Sequence, residues 1–504
     1  MGIPFPSFSC LFALLLFLLV AAKALASMAR NPTPRLPPGP PKLPILGNLH
    51  QLLGALPHRT LRDLARKYGP LMHLQLGEIS TVVVSSPEAA MEALKNHEIH
   101  FADRPRLPGA DIVTYGYTDI AFSPYNDYWR QMRKICQFQL LSVKRVQSFR
   151  SIREAEVSNF IQSISAIAKT SSLFDFSREI FSFNYGITAR VAFGKKSNDQ
   201  EAYISFIREV FPYMDGFNVV DLYPSFKLFS YMSRVMSKIP KLHQTRNEIL
   251  ENIVLEHRVK AVGINEESQE DLVDVLLKLQ QQDEGLKLSD DNIKATIHDI
   301  FSAGSDTVAT TVEWAMSEMM KNPHIMKSAQ AEVRHVFEGK RNADETKLHE
   351  LKYLKSVIKE TLRLHPAAPL LLPRECRESC EISGYEIPLK TRLVVNAWAI
   401  GRDPNHWSDA ESFEPKRFLD SLVDYKGGSF EFIPFGVGRR MCPGIVFAMA
   451  GMELLLAQLL FHFDWRLPDG TKPEELDMSE SFGIVMNRKK ALRLIPIPYQ
   501  HIYE

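Results

Sequence analysis

Apolar residues along this chain recur mostly at helical spacing, broken by proline and glycine, and only a few stretches alternate as strands do. The clearest helical stretch follows Ser289, a side chain suited to an N-cap, and runs to Lys321, where Asn322-Pro323 stops it. A helix over that span is ~50 Å long at 1.5 Å per residue, enough to cross a whole domain. Leu71 to Val84 alternates around Gly77-Glu78 and reads as a hairpin, and Arg392 to Ala399 reads as a further short strand. Ile445 to Leu460 is an apolar run that reads as another helix. The expected fold class is mainly α with small β-sheets.

The N-terminus carries a different pattern. Phe8 to Ala22 is almost wholly apolar and reaches Ala29 if Lys23 sits at an interface, which gives the ~20 residues a membrane span requires. A cleaved signal peptide would account for Ala24-Leu25-Ala26, but such leaders carry positive charge before the apolar run, and Met1 to Cys10 has no Lys or Arg. The positive residues follow it, as Lys23, Arg30, Arg35 and Lys42, a bias that keeps the next domain on the cytoplasmic side. Residues 1–29 are therefore expected to be a retained single-pass anchor. Pro37-Pro38-Gly39-Pro40-Pro41-Lys42-Leu43-Pro44 favours an extended, semi-rigid hinge over residues 30–48. Residues 49–504 are left for one large domain, because no repeat or long low-complexity linker divides them.

Composition adds little beyond exclusions. A net charge of +1 over 504 residues gives no reason to invoke nucleic acid, and 45% hydrophobic residues can build a substantial core. Five cysteines (Cys10, Cys136, Cys376, Cys380, Cys442) are odd in number and too sparse for a disulfide framework, which points to a reducing compartment. Cys376 and Cys380 form a C-x-x-x-C pair with no second pair, so two free thiols are a better reading than zinc.

Chemistry concentrates between Pro434 and Gly444. Gly436 and Gly438 can adopt positive φ and let a tight loop aim backbone N–H groups at the Cys442 sulfur. Pro443 suits the first turn of the following helix, whose dipole, with Arg439 and Arg440, should lower the thiol pKa and favour the metal-binding thiolate. Cys442 reads as a haem-iron ligand. An isolated cysteine after a glycine-rich turn would more simply be an inert buried thiol. Here Phe435-Gly436-x-Gly438-x-Arg440-x-Cys442-x-Gly444 resembles, at six positions of fixed spacing, the haem-binding loop of the cytochrome P-450 superfamily.

That resemblance extends over residues 30 to 500 and organises the remaining motifs. Ala303-Gly304-Ser305-Asp306-Thr307 resembles the oxygen-activating segment of the family's long central helix. Ala303 and Gly304 leave room over a haem face, a Thr307 hydroxyl can bond the carbonyl one turn back, and an Asp306 carboxylate can relay protons toward the oxygen being activated. The family often has a second hydroxyl where this chain has Val308, a departure that bears on the water chain. Glu360-Thr361-Leu362-Arg363 is a weak motif by itself, since E-x-x-R arises by chance about once or twice in such a chain. The resemblance adds Arg417 from Phe413-Glu414-Pro415-Lys416-Arg417-Phe418, so that Glu360, Arg363 and Arg417 form a structural network behind the haem loop. Trp129 and Arg133, four residues apart, share a helix face. The resemblance makes Arg133, Arg374 and Arg440 the partners of the haem propionates, with Trp129 assisting and Phe435 against the cofactor. His298 falls on another face from Ala303 and Thr307 and reads as an ordinary helix histidine.

The resemblance implies a single haem domain of the cytochrome P-450 fold that holds haem b. It implies a monooxygenase inserting one atom of O2 into a C–H or C=C bond, supplied by NADPH through a separate cytochrome P-450 reductase and with cytochrome b5 as a further partner. The chain shows no flavin or nicotinamide fingerprint of its own. Asp127-Tyr128-Trp129-Arg130-Gln131-Met132-Arg133-Lys134 and the proline-rich hinge are similar to the plant microsomal A-type group, which implies the endoplasmic reticulum membrane with the catalytic domain facing the cytosol. The segments that line the family's pocket contribute Ile112, Ile120, Ile300, Ala303, Leu370, Leu371, Phe482 and Ile484, a mostly apolar set suited to a hydrocarbon-like ligand. A sesquiterpene or diterpene is the first expectation and a phenolic or alkaloid substrate the second. A haem isomerase or dehydratase would need no proton relay, and a tethered haem protein for electron transfer or sensing would want a second axial ligand rather than a small-residue notch.

Overall fold

The longest helix among the described residues spans Asp290–Lys321, capped by Ser289, whose side chain accepts from the Asn292 amide while Asn292 bonds back to the Ser289 amide. The computed structural model describes residues 34–500, apart from 55, 171, 196–199, 227–233, 262–269, 283–286 and 469. The expected anchor over residues 1–29 and Cys10 lie outside the described residues.

Seven helices position the site: α1 (Pro57–Tyr68), α2 (Asp127–Ile135), α3 (Phe176–Phe193), α4 (Gln200–Val210), α5 (Asp290–Lys321), α6 (Lys352–Leu364) and α7 (Ile445–His462). α5 crosses the middle of the domain and packs against α3, α6 and α7. Its flanks, Ile293, Phe301, Val312 and Trp314, are fully or almost fully buried, so its length is paid back in core contacts along both sides. α7 is the one described helix long and apolar enough to cross a membrane, but it is two-thirds buried as a core element.

The strands are short: β1 (Leu71–Leu76), β2 (Ile79–Val84), β3 (Arg374–Glu375), β4 (Arg392–Val395), β5 (Phe463–Arg466), β6 (Asn487–Arg488) and β7 (Arg493–Pro498). β1 and β2 form the expected hairpin, Leu71 facing Val84 and Leu76 facing Ile79, with Gly77 at φ +61° in the turn. β2 continues in parallel to β4, which runs antiparallel to β3, so the sheet order is β1-β2-β4-β3. The strand expected over Arg392 to Ala399 ends at Val395. Asn396 accepts from the Ala399 amide and starts a helical turn, Ala397–Ile400, because a short side-chain acceptor competes with the ladder.

The described part of the proline-rich hinge is docked on the sheet. His73 N–H donates to the Pro38 carbonyl at 2.9 Å, and Asn48 bonds the Pro41 carbonyl at 3.1 Å while accepting from Gln75 N–H at 2.8 Å. A Cβ at Gly39 would collide with the His73 carbonyl, which explains the glycine among the prolines.

Candidate active site

The loop before α7 is built around its two glycines. Gly436 and Gly438 sit at φ +70° and +71°, and a Cβ at Gly438 would strike the Glu98 carboxylate. The turn is closed by Cys442 N–H donating to the Phe435 carbonyl at 3.0 Å, and Cys442 Sγ accepts from Gly444 N–H at 3.3 Å. α7 begins at Ile445 with Gly444 as its N-cap, so Pro443 precedes the helix rather than occupying its first turn.

Cys442 is accessible at the surface of its loop. Its pKa is raised, not lowered as the loop sequence led one to expect. Burial dominates, and the Gly444 amide and Arg133 only offset it. Arg439 turns outward to Glu98 and the Tyr125 hydroxyl, and Arg440 donates to the carbonyls of Ala102 at 2.7 Å and Ser123 at 2.6 Å. Neither guanidinium is aimed at the sulfur. A metal ion deprotonates a coordinating thiol outright, so ligation does not depend on a lowered pKa in the free protein.

Next to this loop the fold buries a cluster of arginines. Arg133 comes from α2, Arg374 from β3 and Arg440 from the loop, and Arg104, which stands in no recognisable motif, joins them. Burial and mutual repulsion lower the Arg440 pKa to about 9, and burial lowers that of Arg374 to about 10. Arg374 donates to the Val437 carbonyl at 2.9 Å, but one terminal nitrogen on each of Arg374 and Arg440 is buried without a partner, and the Arg133 guanidinium makes no hydrogen bond among the described residues. Orphaned buried donors on clustered cations fit a bound anion with several acceptor oxygens, which the two carboxylates of a haem supply. The donor set therefore fits haem, with Cys442 for the iron and Arg133, Arg374 and Arg440 for the propionates. Trp129 spends its indole N–H on the Ile120 carbonyl at 3.0 Å and carries the Arg440 guanidinium over its ring at 4.1 Å, so it holds an arginine in place rather than donating itself. Phe435 packs at 5.4 Å against Tyr425.

The α5 segment expected over the haem lies beside α7. A Cβ at Gly304 would sit 3.5 Å from Phe447, the fifth residue after Cys442, and Ala303 is exposed in the middle of a helix otherwise mostly buried. Thr307 Oγ1 donates to the Ala303 carbonyl at 2.7 Å. Asp306 leaves the helix on another side: its Oδ1 accepts from the Tyr185 hydroxyl at 3.0 Å. Burial pushes the Asp306 carboxyl up to about 6, with the Tyr185 bond and Arg208 acting against it. His298 is buried, bonded to the Tyr203 hydroxyl at 2.8 Å and held well below its ordinary pKa by burial and Arg246, as suits a packed neutral ring.

Glu360, Arg363 and Arg417 meet as a network. Arg363 Nε and Nη2 reach the two Glu360 oxygens at 2.7 and 2.8 Å, and Arg417 Nε reaches Oε1 at 3.0 Å. The residues read as pocket lining divide among three places. Phe482 and Ile484 line a cleft with Asp306, Leu370 and Leu371 line a small cavity beside Arg392, and Ile112, Ile120 and Ile300 pack in the main core.

A cytochrome P450 family model matches residues 37–494. Tabersonine 16-hydroxylase 2 of Catharanthus roseus is 53% identical over 498 residues, 97% of each chain. Premnaspirodiene oxygenase of Hyoscyamus muticus is 51% identical over 495 residues, again 97% of each chain. A zebrafish cytochrome P450 solved with progesterone shares the fold, with a TM-score of 0.76 at 24% identity over 88% of this chain and 100% of the other. With the cysteine loop and arginine cluster in place behind that match, the chain belongs to the cytochrome P450 family, in its plant A-type group, and is a haem-thiolate monooxygenase with haem b as cofactor and a reductase as electron donor.

Proposed function

We propose that this monooxygenase oxidises a small apolar plant metabolite, a sesquiterpene or diterpene, at the cytosolic face of the endoplasmic reticulum. Residues 1–29 would be its anchor, 30–48 the connection and 49–504 the catalytic domain, with cytochrome b5 as a second electron donor. The observation that supports the substrate class is the apolar character of the residues expected around the substrate. Ile112, Ile120, Ile300, Leu370, Leu371, Phe482 and Ile484, although spread over the core, a cleft and a small cavity, are all buried or half-buried hydrophobics, which favour a hydrocarbon and penalise a charge. The relative named for premnaspirodiene, at 51% identity, supports the same class.

Bound haem supplies the activation of O2, and the chain supplies position and protons. Cys442 would hold the iron and Arg133, Arg374 and Arg440 the propionates. The Thr307 hydroxyl hydrogen is committed to the Ala303 carbonyl, which leaves the oxygen as an acceptor that orients a water from the exposed notch at Ala303. Asp306, with its pKa near 6, takes up and releases a proton close to neutral pH, and Tyr185 holds its Oδ1 while it does so.

The test is incubation of microsomes containing this protein, its reductase and NADPH with a panel of sesquiterpenes, diterpenes, phenolics and tabersonine, followed by mass analysis. Gain of one oxygen by a terpene is the expected result. Turnover confined to tabersonine or a phenolic would overturn the substrate class and leave the monooxygenase standing; the tabersonine hydroxylase relative, at 53% identity, makes that arm a necessary one.

A further inference from the structure

A cleft of about 480 Å³ runs from the surface to Asp306, between α5, the start of α3 and the chain around β6. Its mouth is set by exposed Arg178, Arg208, Pro212 and Ala491, and its floor carries three buried charged groups, Asp306, Glu313 and Arg488. Asp306 and Glu313 are seven residues apart on α5, two turns along one face. Between them Thr310 donates to Asn487 Oδ1 at 2.5 Å, and Asn487 also lines the cleft. Asp306 and Glu313 thus line one cleft from the same helical face, alongside Phe181, Phe482 and Ile484, with Thr310 between them bonded to the cleft residue Asn487.

Glu313 is not explained by a structural ion pair. Arg488 approaches it only to 4.0 Å and spends its nitrogens elsewhere, on the Lys490 and Asp477 carbonyls and the Met478 sulfur. The Ser177 hydroxyl donates to the Glu313 carboxylate and accepts from Leu492 N–H at 2.6 Å, and that amide also favours the charged form of Glu313. A buried carboxylate neutralised this incompletely is costly unless its proton exchange is used.

We propose that Glu313 is a second proton-holding residue of the oxygen-activation route, taking protons from solvent at the cleft mouth and passing them along the polar face of α5 to Asp306. This rests on the reading of Asp306 as the proton donor near the haem. The step moves one proton and no electrons. The Glu313 carboxylate gains H⁺ from solvent, gives it to water in the cleft as that water gives one to Asp306, and returns to its charged form. Burial pushes Glu313 up to about 7, against Ser177, Arg488 and the Leu492 amide and with Asp175, so it exchanges protons at working pH. The other charges facing the cleft are Arg178, Arg208 and Asp306 itself.

The experiment uses the full-length holoenzyme and two readouts: an infrared titration of protonated carboxyl groups in the resting protein, and product formed per NADPH across the neutral pH range. A carboxyl band titrating near pH 7 is expected in the wild type, lost in Glu313→Gln, kept in Asp306→Asn and restored in part by Glu313→Asp. Coupling should be low and flat with pH in Glu313→Gln, where the wild type loses coupling as pH rises through 7. Ser177→Ala removes a donor that stabilises the charged form, so it should move the band to higher pH; this readout stands if Glu313→Gln fails to fold. Wild-type coupling and pH profile in Glu313→Gln, or a band that Ser177→Ala does not move, overturns the proposal. Normal coupling in Asp306→Asn overturns the Asp306 reading instead, and so the two failures are distinct.

Discussion

Replacing Glu360 by glutamine tests the network behind the haem loop most sharply. Both partners are out of solvent, Glu360 at 0% and Arg363 at 1% exposure. Glu360 accepts four hydrogen bonds, two from Arg363, one from Arg417 and one from Glu414 N–H at 2.8 Å. Arg363 also donates to the carbonyls of Gly401, Ala410 and Ser412, which pin the segment before the loop, and so it cannot swing out to water when its counter-charge is lost. An uncompensated buried charge costs ~3–5 kcal/mol, against a total stability of ~5–15 kcal/mol for a typical domain. Arg417→Gln should cost only ~1–3 kcal/mol, because it removes one hydrogen bond to a charged group and leaves the inner pair intact. Thermal unfolding of the holoprotein, followed by haem absorbance, should show Glu360→Gln losing haem first, with its midpoint lower by about 3–5 °C, and Arg417→Gln between it and the wild type. A Glu360→Gln protein as stable as the wild type, or less affected than Arg417→Gln, would refute this reasoning.

Three further outcomes are expected. Thr307→Ala removes the acceptor beside the Ala303 notch; substrate should still bind and NADPH still be consumed, with the served proton-transfer step slowed by ~10² to 10⁴-fold and more hydrogen peroxide released per NADPH, whereas an unchanged product-to-NADPH ratio would make Thr307 a packing residue. Glu480 is buried, and although burial works against it, bonds from His58 at 3.0 Å and Arg59 at 2.9 Å hold its pKa down to about 2. Its contribution, about 3 kcal/mol at 1.36 kcal/mol per pKa unit, is therefore complete above the ordinary glutamate pKa and lost as pH falls from about 4.5 toward 2, so Glu480→Gln should flatten the acid limb of a stability profile. Deleting residues 1–29 should release the protein from microsomes, measured by sedimentation; a naturally processed, soluble mature form in cells would contradict the anchor.

How much of this was legible in the sequence depended on whether the signal was local. α5 was readable from end to end because its cap, its period and its stop all lie on the chain, from Ser289 to Pro323. The Cys442 loop was readable because two glycines at positive φ leave few alternatives at that spacing. Hidden were the features set by distant packing. The Cys442 thiol pKa rises because burial outweighs local charge, and burial is not written in the loop. Arg104 stands in no motif and joins the arginine cluster only because its segment packs beneath β3, where it donates to the Leu372 and Pro373 carbonyls. The Tyr185 hydroxyl on Asp306 spans 121 residues of chain. Glu313 did leave a trace, a charged residue seven positions from Asp306 on the same helical face.

The central claim is that Cys442 ligates the haem iron. The direct measurement is the absorption spectrum of the reduced protein under carbon monoxide, wild type beside Cys442→Ala. The wild type should absorb where thiolate-ligated haem does. Cys442→Ala should lose the haem or lose that band. A Cys442→Ala protein that keeps haem with an unchanged spectrum would place the ligand elsewhere and contradict the account.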